Sequence, residues 1–374
     1  MTRTGKCKIL HLISSFEVGG TETSLLELLK SRAPNEEFEH HVCTLYDRGE
    51  LKGEFKKVAE LHTLGLDSKI SLPWGVVKFR RLVFRTNPNL VASYLAADNL
   101  VASLGCIGSK MPVVCGKRDT NTGKSALARI VDTISARFSR FTISNSLEGK
   151  RELLSYGIPK EKLAYIPTGR NADAFSLEKD RITGREIYGE DAGEIVIGCV
   201  SRIAKHKGQI DLIRVMPKLL EKNKEVLLVF VGGGDGKSLL EESEKLGVKN
   251  NVKVLGRKPH SEVITLLKSF DIFAFPSYRE GFSGAIVEAM MAELPIVASD
   301  IPENKDVLED KKEGLLFPVG DLDPLCSALD KLINDKKLRE KLAKNARKRA
   351  IEEYSLESVS KKYVVEWKRA VDKN

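Results

Sequence analysis

Two segments in the second half of the chain carry side chains able to hold an anion and a polyol together. In CVSRIAKHKGQIDLI, Arg202, Lys205 and Lys207 lie between an apolar run and a helical pattern that starts near Gly208. Cations converging just before a helix suit a diphosphate, because they offset its charge while the helix N-terminus adds N–H donors. A solvated charge run is the plainer reading. In REGFSGAIVEAMMAELPIVASD, Glu280 and Glu288 stand eight positions apart, with Gly281 and Gly284 between them. A carboxylate accepts hydrogen bonds from vicinal hydroxyls, and a Gly-rich turn lets backbone N–H groups approach a phosphate or a sugar. Two unrelated surface acids are the competing reading in a chain that is 30% charged. A weaker signal lies in SSFEVGGTETSLLELL, where Gly19 and Gly20 precede a helical pattern; a tight turn with an N-cap explains it equally well. FVGGGDGKSLLEE does not match G-x-G-x-x-G, since Lys237 occupies the position after Gly236, and no acid ends a strand at the usual distance. A nicotinamide site is therefore disfavoured.

These segments must be positioned by a frame, and the frame alternates. CKILHLI, HHVCTLY, LVASYL, PVVCGKR and RFTISNS read as short buried strands, separated by helical patterns such as ETSLLELLKSR and EGKRELLSYG. EIVIGCVSR, VLLVFVGGG, NVKVLGR, DIFAFPS and PIVASD repeat the style, with GQIDLIRVMPKLLEK, DGKSLLEESEKLG, HSEVITLLKSF and SGAIVEAMMAE between them. Such alternation implies parallel sheets covered on both faces, and two sets in series imply two Rossmann-like domains. Ligands of such sheets bind outside the carboxyl ends of the strands, which is where the charged turns fall. The polar stretch 168–194 reads as the boundary. The expected division is an N-terminal domain 1–170, a C-terminal domain 171–354 and a final helix 355–374.

At 374 residues with 42% apolar content, the chain is an ordinary globular protein of two domains. No apolar run reaches the roughly 18 to 20 residues of a membrane helix. The short apolar run after the N-terminal basic residues is followed by Glu17 and the Gly pair, and reads as a buried strand rather than a secretory signal. Six scattered cysteines without a CxxC pair suggest free thiols in a reducing compartment. Of the net charge of +9, residues 1–170 hold all: 26 Lys and Arg against 17 Asp and Glu, with 35 against 35 in the remainder. Part of the excess lies in KISLPWGVVKFRRLVFRTNPN, where Lys78, Arg80, Arg81 and Arg85 interleave with Trp74, Phe79, Leu82, Val83 and Phe84. That pattern fits a helix covering the sheet, or one that also lies on an anionic membrane surface. The basic excess matches no nucleic-acid-binding module, so no nucleic-acid partner is expected.

Taken together, VGGTE, SRIAKHKG, VLGR and PSYREGFSGAIVEAMMAELPIVASDIPENKDVLEDKKEGLLFPVGD resemble the GT-B-fold retaining glycosyltransferases of group 1 or family 4, over nearly the whole chain. The E-x7-E pattern is the strongest part of the likeness. It implies two Rossmann-like domains facing a cleft, an acceptor domain followed by a nucleotide-sugar domain, with the last helix crossing back to the first. By this resemblance Arg202 and Lys207 match the pair that grips the diphosphate, and Glu280 the acid near the donor sugar. Glu288 matches the acid that binds the ribose. Phe282, Ser283 and Gly284 match backbone contacts to the donor, Gly20 the loop glycine near the diphosphate, and Leu255 to Arg257 the contact to the base. Two departures stand out. Many members carry a His in the region that here reads PVVCGKRDTNTG, where Arg118 or Asp119 would take its place. The usual Asn-Gly turn after IP reads IPTGRNADAF, with Asn171 and Asp173 as substitutes.

The implied activity is retaining transfer of a hexose or aminohexose from a UDP- or GDP-linked sugar to a glycan or lipid-linked acceptor in cell-surface polysaccharide synthesis. Cations at the leaving group would do the work of a metal, and no clustered His/Asp/Glu ligand set or D-x-D motif stands out, so neither metal nor cofactor is expected. A cytoplasmic location, peripheral at the inner face of the membrane, goes with this reading. A sugar-nucleotide epimerase and a non-catalytic nucleotide-sugar-binding subunit are the alternatives. The first would need an acid/base pair acting on the donor sugar, and no paired set is obvious.

Overall fold

The computed structural model describes residues 6–118, 126–176, 188, 195–222 and 225–372, with Lys69 described by its backbone alone. The chain divides into two compact units. One comprises Met1–Gly169 with Leu356–Asn374, the other Arg170–Ser355.

The first unit holds a seven-stranded sheet built from β1 (Cys7–Ile13), β2 (Phe38–Thr44), β3 (Glu60–Thr63), β4 (Leu90–Ser93), β5 (Val113–Lys117), β6 (Phe141–Ser144) and β7 (Leu163–Tyr165). Their order across the sheet is β3-β2-β1-β4-β5-β6-β7, every neighbouring pair parallel. The second holds β8 (Ile195–Val200), β9 (Val226–Val231), β10 (Val252–Val254), β11 (Ile272–Phe275), β12 (Ile296–Ser299) and β13 (Leu315–Phe317). Its order is β10-β9-β8-β11-β12-β13, again all parallel. Strands covered on both faces lose the alternation of a half-exposed strand. VLLVFV of β9 shows this, with all six residues buried. The architecture is α/β with two Rossmann-like sheets, as the alternation predicts. The strands that escape a reading of the sequence, β3, β7 and β13, are three or four residues long and sit at sheet edges. ELHT of β3 offers no apolar run at all.

The terminal helix Leu356–Asp372 belongs to the first unit. Val359, Tyr363, Trp367 and Ala370 join the core formed by Ile9, Ile13, Phe38 and Val42. The indole of Trp367 is fully buried and stands edge-on to Phe38 at 88°. A chain end with this much aromatic surface folds back because burying it removes more apolar area from water than any exposed path would.

In each sheet the strand order reverses once, between β1 and β4 and between β8 and β11. Connections leave to opposite sides there, and a crevice opens outside the strand ends. At the second reversal the loops after β8 and β11 are hydrogen-bonded to each other. Lys205–Lys207 forms a single 3₁₀ turn closed by Gly208 at φ 67°. A Cβ on Gly208 would stand 2.2 Å from the carbonyl oxygen of Pro276. The amide N–H of Tyr278 donates to the His206 carbonyl at 2.9 Å, and the Tyr278 hydroxyl donates to Asp211 at 2.8 Å. Buried Gln209 donates to Ser201 Oγ at 2.8 Å and to the Arg202 carbonyl at 3.0 Å. Gly208→Ala combines a left-handed backbone with a main-chain clash. It is expected to lower stability by roughly 1 to 3 kcal/mol, read from urea unfolding; an unchanged midpoint would contradict this account of the turn.

Candidate functional site

A cavity of about 420 Å³ opens at the β8/β11 reversal. The loop after β8 contributes Ser201, Arg202, His206 and Lys207. The loop after β11 contributes Glu280 and Phe282, and the helix Gly284–Met291 contributes Gly284, Ala285 and Glu288. Arg170 completes the wall. The helix begins at Gly284, so Glu288 lies one turn in and faces the same space as the loop. First-turn N–H groups have no partner inside a helix, so this end of Gly284–Met291 offers donors to an anion.

Two ion pairs cross the cavity. Lys207 Nζ donates to both carboxylate oxygens of Glu280, at 2.6 and 2.7 Å. The same ammonium stands 5.8 Å from the centre of the Phe275 ring. Arg170 Nε donates to Glu288 Oε1 at 2.7 Å, and His260 Nε2 lies 3.4 Å from that oxygen. Glu280 and Glu288 are largely buried, at 8% and 12% side-chain exposure, so their charges depend on these partners. Burial pushes the Glu288 carboxyl up, but the His260 hydrogen bond and the Arg170 charge outweigh it and hold it below its usual range. The same hydrogen bond raises His260 against the opposing effect of burial. Burial and the charges of Lys207, Arg279 and Arg202 lower His206, leaving its ring neutral. Arg202 is exposed and, among the described residues, has no ion pair. The lining thus sets Arg170, Arg202 and Lys207 against Glu280 and Glu288, a net positive pocket with two carboxylates in it.

The structure brings together Arg202, Lys207, Glu280, Phe282, Gly284 and Glu288, six of the residues singled out in the sequence. Ser283 is turned away from the cavity. It is fully buried and donates to Asn304 Oδ1 at 2.6 Å, while Asn304 donates onward to the Ser299 carbonyl. Only its backbone is at the site. Arg257 is exposed, beside Gly233 and outside the cavity wall. Gly20 and Arg118 belong to the first unit. Gly20 opens the helix Gly20–Lys30, and a Cβ there would meet nothing within 4 Å. Arg118 donates to Tyr363 Oη at 3.1 Å and stacks over Tyr94. Asp119 lies outside the described residues.

Two residues that touch Glu288 were not legible in sequence. Arg170 is the larger surprise. Asn171 and Asp173 were the expected substitutes for the Asn-Gly turn, yet Asn171 caps a local 3₁₀ turn by accepting from the Asp173 amide at 3.1 Å. The residue before them reaches the cavity instead, and its guanidinium stands where a Cβ on Gly284 would come, 2.6 Å away. His260, at the start of the helix His260–Ser269, carries no local motif. The ion-pair partner Glu288 is its only signal.

Cations and N–H donors stand beside paired carboxylates at the reversal of a parallel sheet, an arrangement whose chemistry suits an anionic, hydroxyl-bearing ligand. A family profile described as "Glycosyl transferases group 1" matches residues 180–349, and one described as "Glycosyltransferase Family 4" matches residues 18–174. The capsular polysaccharide biosynthesis glycosyltransferase CapM of Staphylococcus aureus is 24% identical over 361 residues, 93% of each chain. An uncharacterized glycosyltransferase of Methanocaldococcus jannaschii, MJ1607, is 31% identical over 236 residues, 62% of this chain and 60% of its own. Anabaena Alr3699/HepE, solved with UDP, superposes with a TM-score of 0.83 at 22% identity, covering 97% of this chain and 100% of that one; the same protein has been solved with UDP-glucose. The chain belongs to the group 1 glycosyltransferases and has the GT-B fold.

The His260–Glu288 contact makes stability depend on pH. The folded-state pKa of His260 is raised, so its contribution is complete below the unfolded value of about 6.5 and fades as pH rises through the higher folded value. His260→Ala should therefore cost more stability near pH 5.5 than near pH 8.5, about one unit below and two units above the unfolded value. Chemical denaturation at both pH values reads this; an equal cost at both would show that the charge of His260 plays no part.

Proposed function

We propose that the chain transfers a hexose or aminohexose from a nucleoside-diphosphate sugar, UDP-linked by preference, to a glycan or lipid-linked acceptor in cell-surface polysaccharide synthesis, with retention at the anomeric carbon. The cavity at the β8/β11 reversal carries this reading. Its paired Lys207–Glu280 and Arg170–Glu288, with Arg202 in the same lining, suit a diphosphate joined to two polyhydroxyl groups. Glu288 accepts from the ribose hydroxyls. Arg202 and Lys207 face the diphosphate, where negative charge grows as the sugar leaves, and supply the stabilisation there without a metal. Both oxygens of Glu280 are held by the Lys207 ammonium, so it orients the sugar side and is not assigned as a nucleophile. Attack from the same face as departure fits that assignment. CapM, by its name, serves capsular polysaccharide synthesis, and the HepE structures hold UDP and UDP-glucose; these support the acceptor class and the base.

Calorimetry with UDP, GDP, ADP and their sugar conjugates tests the donor assignment. Glu288→Ala should weaken the preferred nucleotide by roughly 10- to 100-fold, the value of hydrogen bonds to a charged acceptor. Lys207→Ala should cut turnover by roughly 10²- to 10³-fold, with circular dichroism checking that unpaired Glu280 has not unfolded the unit. Undiminished binding and turnover in both variants would refute the site.

We further propose that the first unit rests on an anionic membrane surface. No helix among the described residues is long and apolar enough to cross a membrane. In the helix Leu72–Thr86, Phe79, Leu82 and Val83 are buried against the sheet, as the plainer reading expects. Yet Trp74 and Phe84 remain 70% and 67% exposed, beside exposed Arg81 and Arg85. Arg80 and Lys78 keep their charges but are tied to the carbonyls of Ile107 and Leu64, so Arg81 and Arg85 are the cations of 78–85 most able to reach a surface. This location is at the inner, cytoplasmic face. Replacing both with Gln should lower sedimentation with phosphatidylserine vesicles by roughly tenfold or more, at about 1 kcal/mol per charge. Unchanged sedimentation would refute it.

A further inference from the structure

The pairing of β2 with β3 gathers four side chains on one face of the first sheet. His41 lies opposite Glu60 in register, and Cys43 opposite His62. Side chains two apart share a face, so Glu39 and His41 point the same way, as do Glu60 and His62. His41 is almost wholly buried, and His62 is 11% exposed. Their rings are parallel within 5°, and His41 Nδ1 stands 3.0 Å from His62 Nε2. Glu60 straddles the pair, one oxygen 3.6 Å from His41 Nδ1 and the other 3.5 Å from His62 Nε2. One donor atom from each of the three residues lies within 4.8 Å of the others.

We propose that His41, His62 and Glu60 form a binding site for a divalent transition metal of the zinc class, clipping the edge strand β3 to β2. Three observations carry this. Two imidazole nitrogens at about 2.0–2.1 Å from a tetrahedral ion stand roughly 3.3 Å apart, close to the 3.0 Å between these two. The donor set, two nitrogens and a carboxylate, suits zinc, cobalt or nickel rather than magnesium or calcium, which take oxygen ligands. The outer partner of a histidine ligand is also in place. His41 Nε2 lies 2.8 Å from Glu39 Oε1, which only accepts, so the proton sits on Nε2 and the Nδ1 lone pair faces His62.

Without metal, His62 Nε2–H donates to His41 Nδ1. On binding, the ion takes that place and His62 carries its proton on Nδ1. Four other charges act on the pair: Glu39 and Glu60 favour the ion, while Lys8 on β1 and Arg85 on the helix Leu72–Thr86 oppose it. The Lys8 ammonium is held on the Thr86 carbonyl at 3.2 Å. Solvent completes the fourth position on the exposed side of Glu60. The set was invisible in sequence because twenty-one residues separate the two histidines and β3 has no apolar pattern. The three side chains stand together although no clustered ligand set stood out in the sequence.

Cobalt uptake by the metal-stripped full chain tests this. Wild type should bind one Co²⁺ with the visible absorption of a four-coordinate ion, and Zn²⁺ should displace it and raise the unfolding temperature. His62→Ala, checked by circular dichroism for an unchanged fold, should abolish the absorption and the thermal shift. Glu39→Gln should weaken binding by roughly 10- to 100-fold, as outer-shell partners do. No uptake at millimolar Co²⁺, or equal uptake by wild type and His62→Ala, would overturn the site; the latter would place the ion elsewhere, with His206 or His260.

Discussion

The ammonium of Lys207 held between the two oxygens of Glu280 is the contact on which the candidate site depends. It links the loop after β8 to the loop after β11 across the point where strand order reverses. Neither charge is well hydrated there, so each needs the other. Gly208 lets the first loop turn tightly enough to meet the second, and Gln209 fixes its upstream half from beneath. The fold supplies the crevice; the ion pair and the glycine determine which groups line it.

The second pair, Arg170 with Glu288, extends the same logic. A carboxylate 12% exposed in a helix stays ionised because Arg170 and His260 offset the effect of burial. An ionised Glu288 accepts hydrogen bonds and donates none, which is what recognition of a diol requires. Arg170 lies at the first residue of the second unit, so the start of that unit and the helix Gly284–Met291 are joined by an ion pair. Group 1 glycosyltransferases are thereby represented here with an arginine placed on the carboxylate that the family resemblance assigns to the ribose.

Much of this was legible from residue order. The β-strands at the sheet centres are apolar runs bounded by turn residues, and the cations and acids stand directly after two of them. Three of the edge strands, β3, β7 and β13, were not legible, because three or four residues leave no period to read. Arg170 and His260 escaped for another reason. Each acts through a partner more than twenty-five positions away, and no local pattern encodes such a contact. The His41–Glu60–His62 cluster is hidden in the same manner, by a register that only the assembled sheet reveals. Ser283 was expected to offer only its backbone; what residue order did not show is that its hydroxyl serves Asn304 beneath the loop.

A crystal structure of the chain with its preferred nucleoside diphosphate tests the central claim most directly. The account predicts the diphosphate within hydrogen-bond distance of Arg202 and Lys207, and the ribose hydroxyls on Glu288 with Arg170 displaced or shared. A nucleotide bound at full occupancy away from the β8/β11 reversal, with Lys207–Glu280 and Arg170–Glu288 untouched, would contradict it.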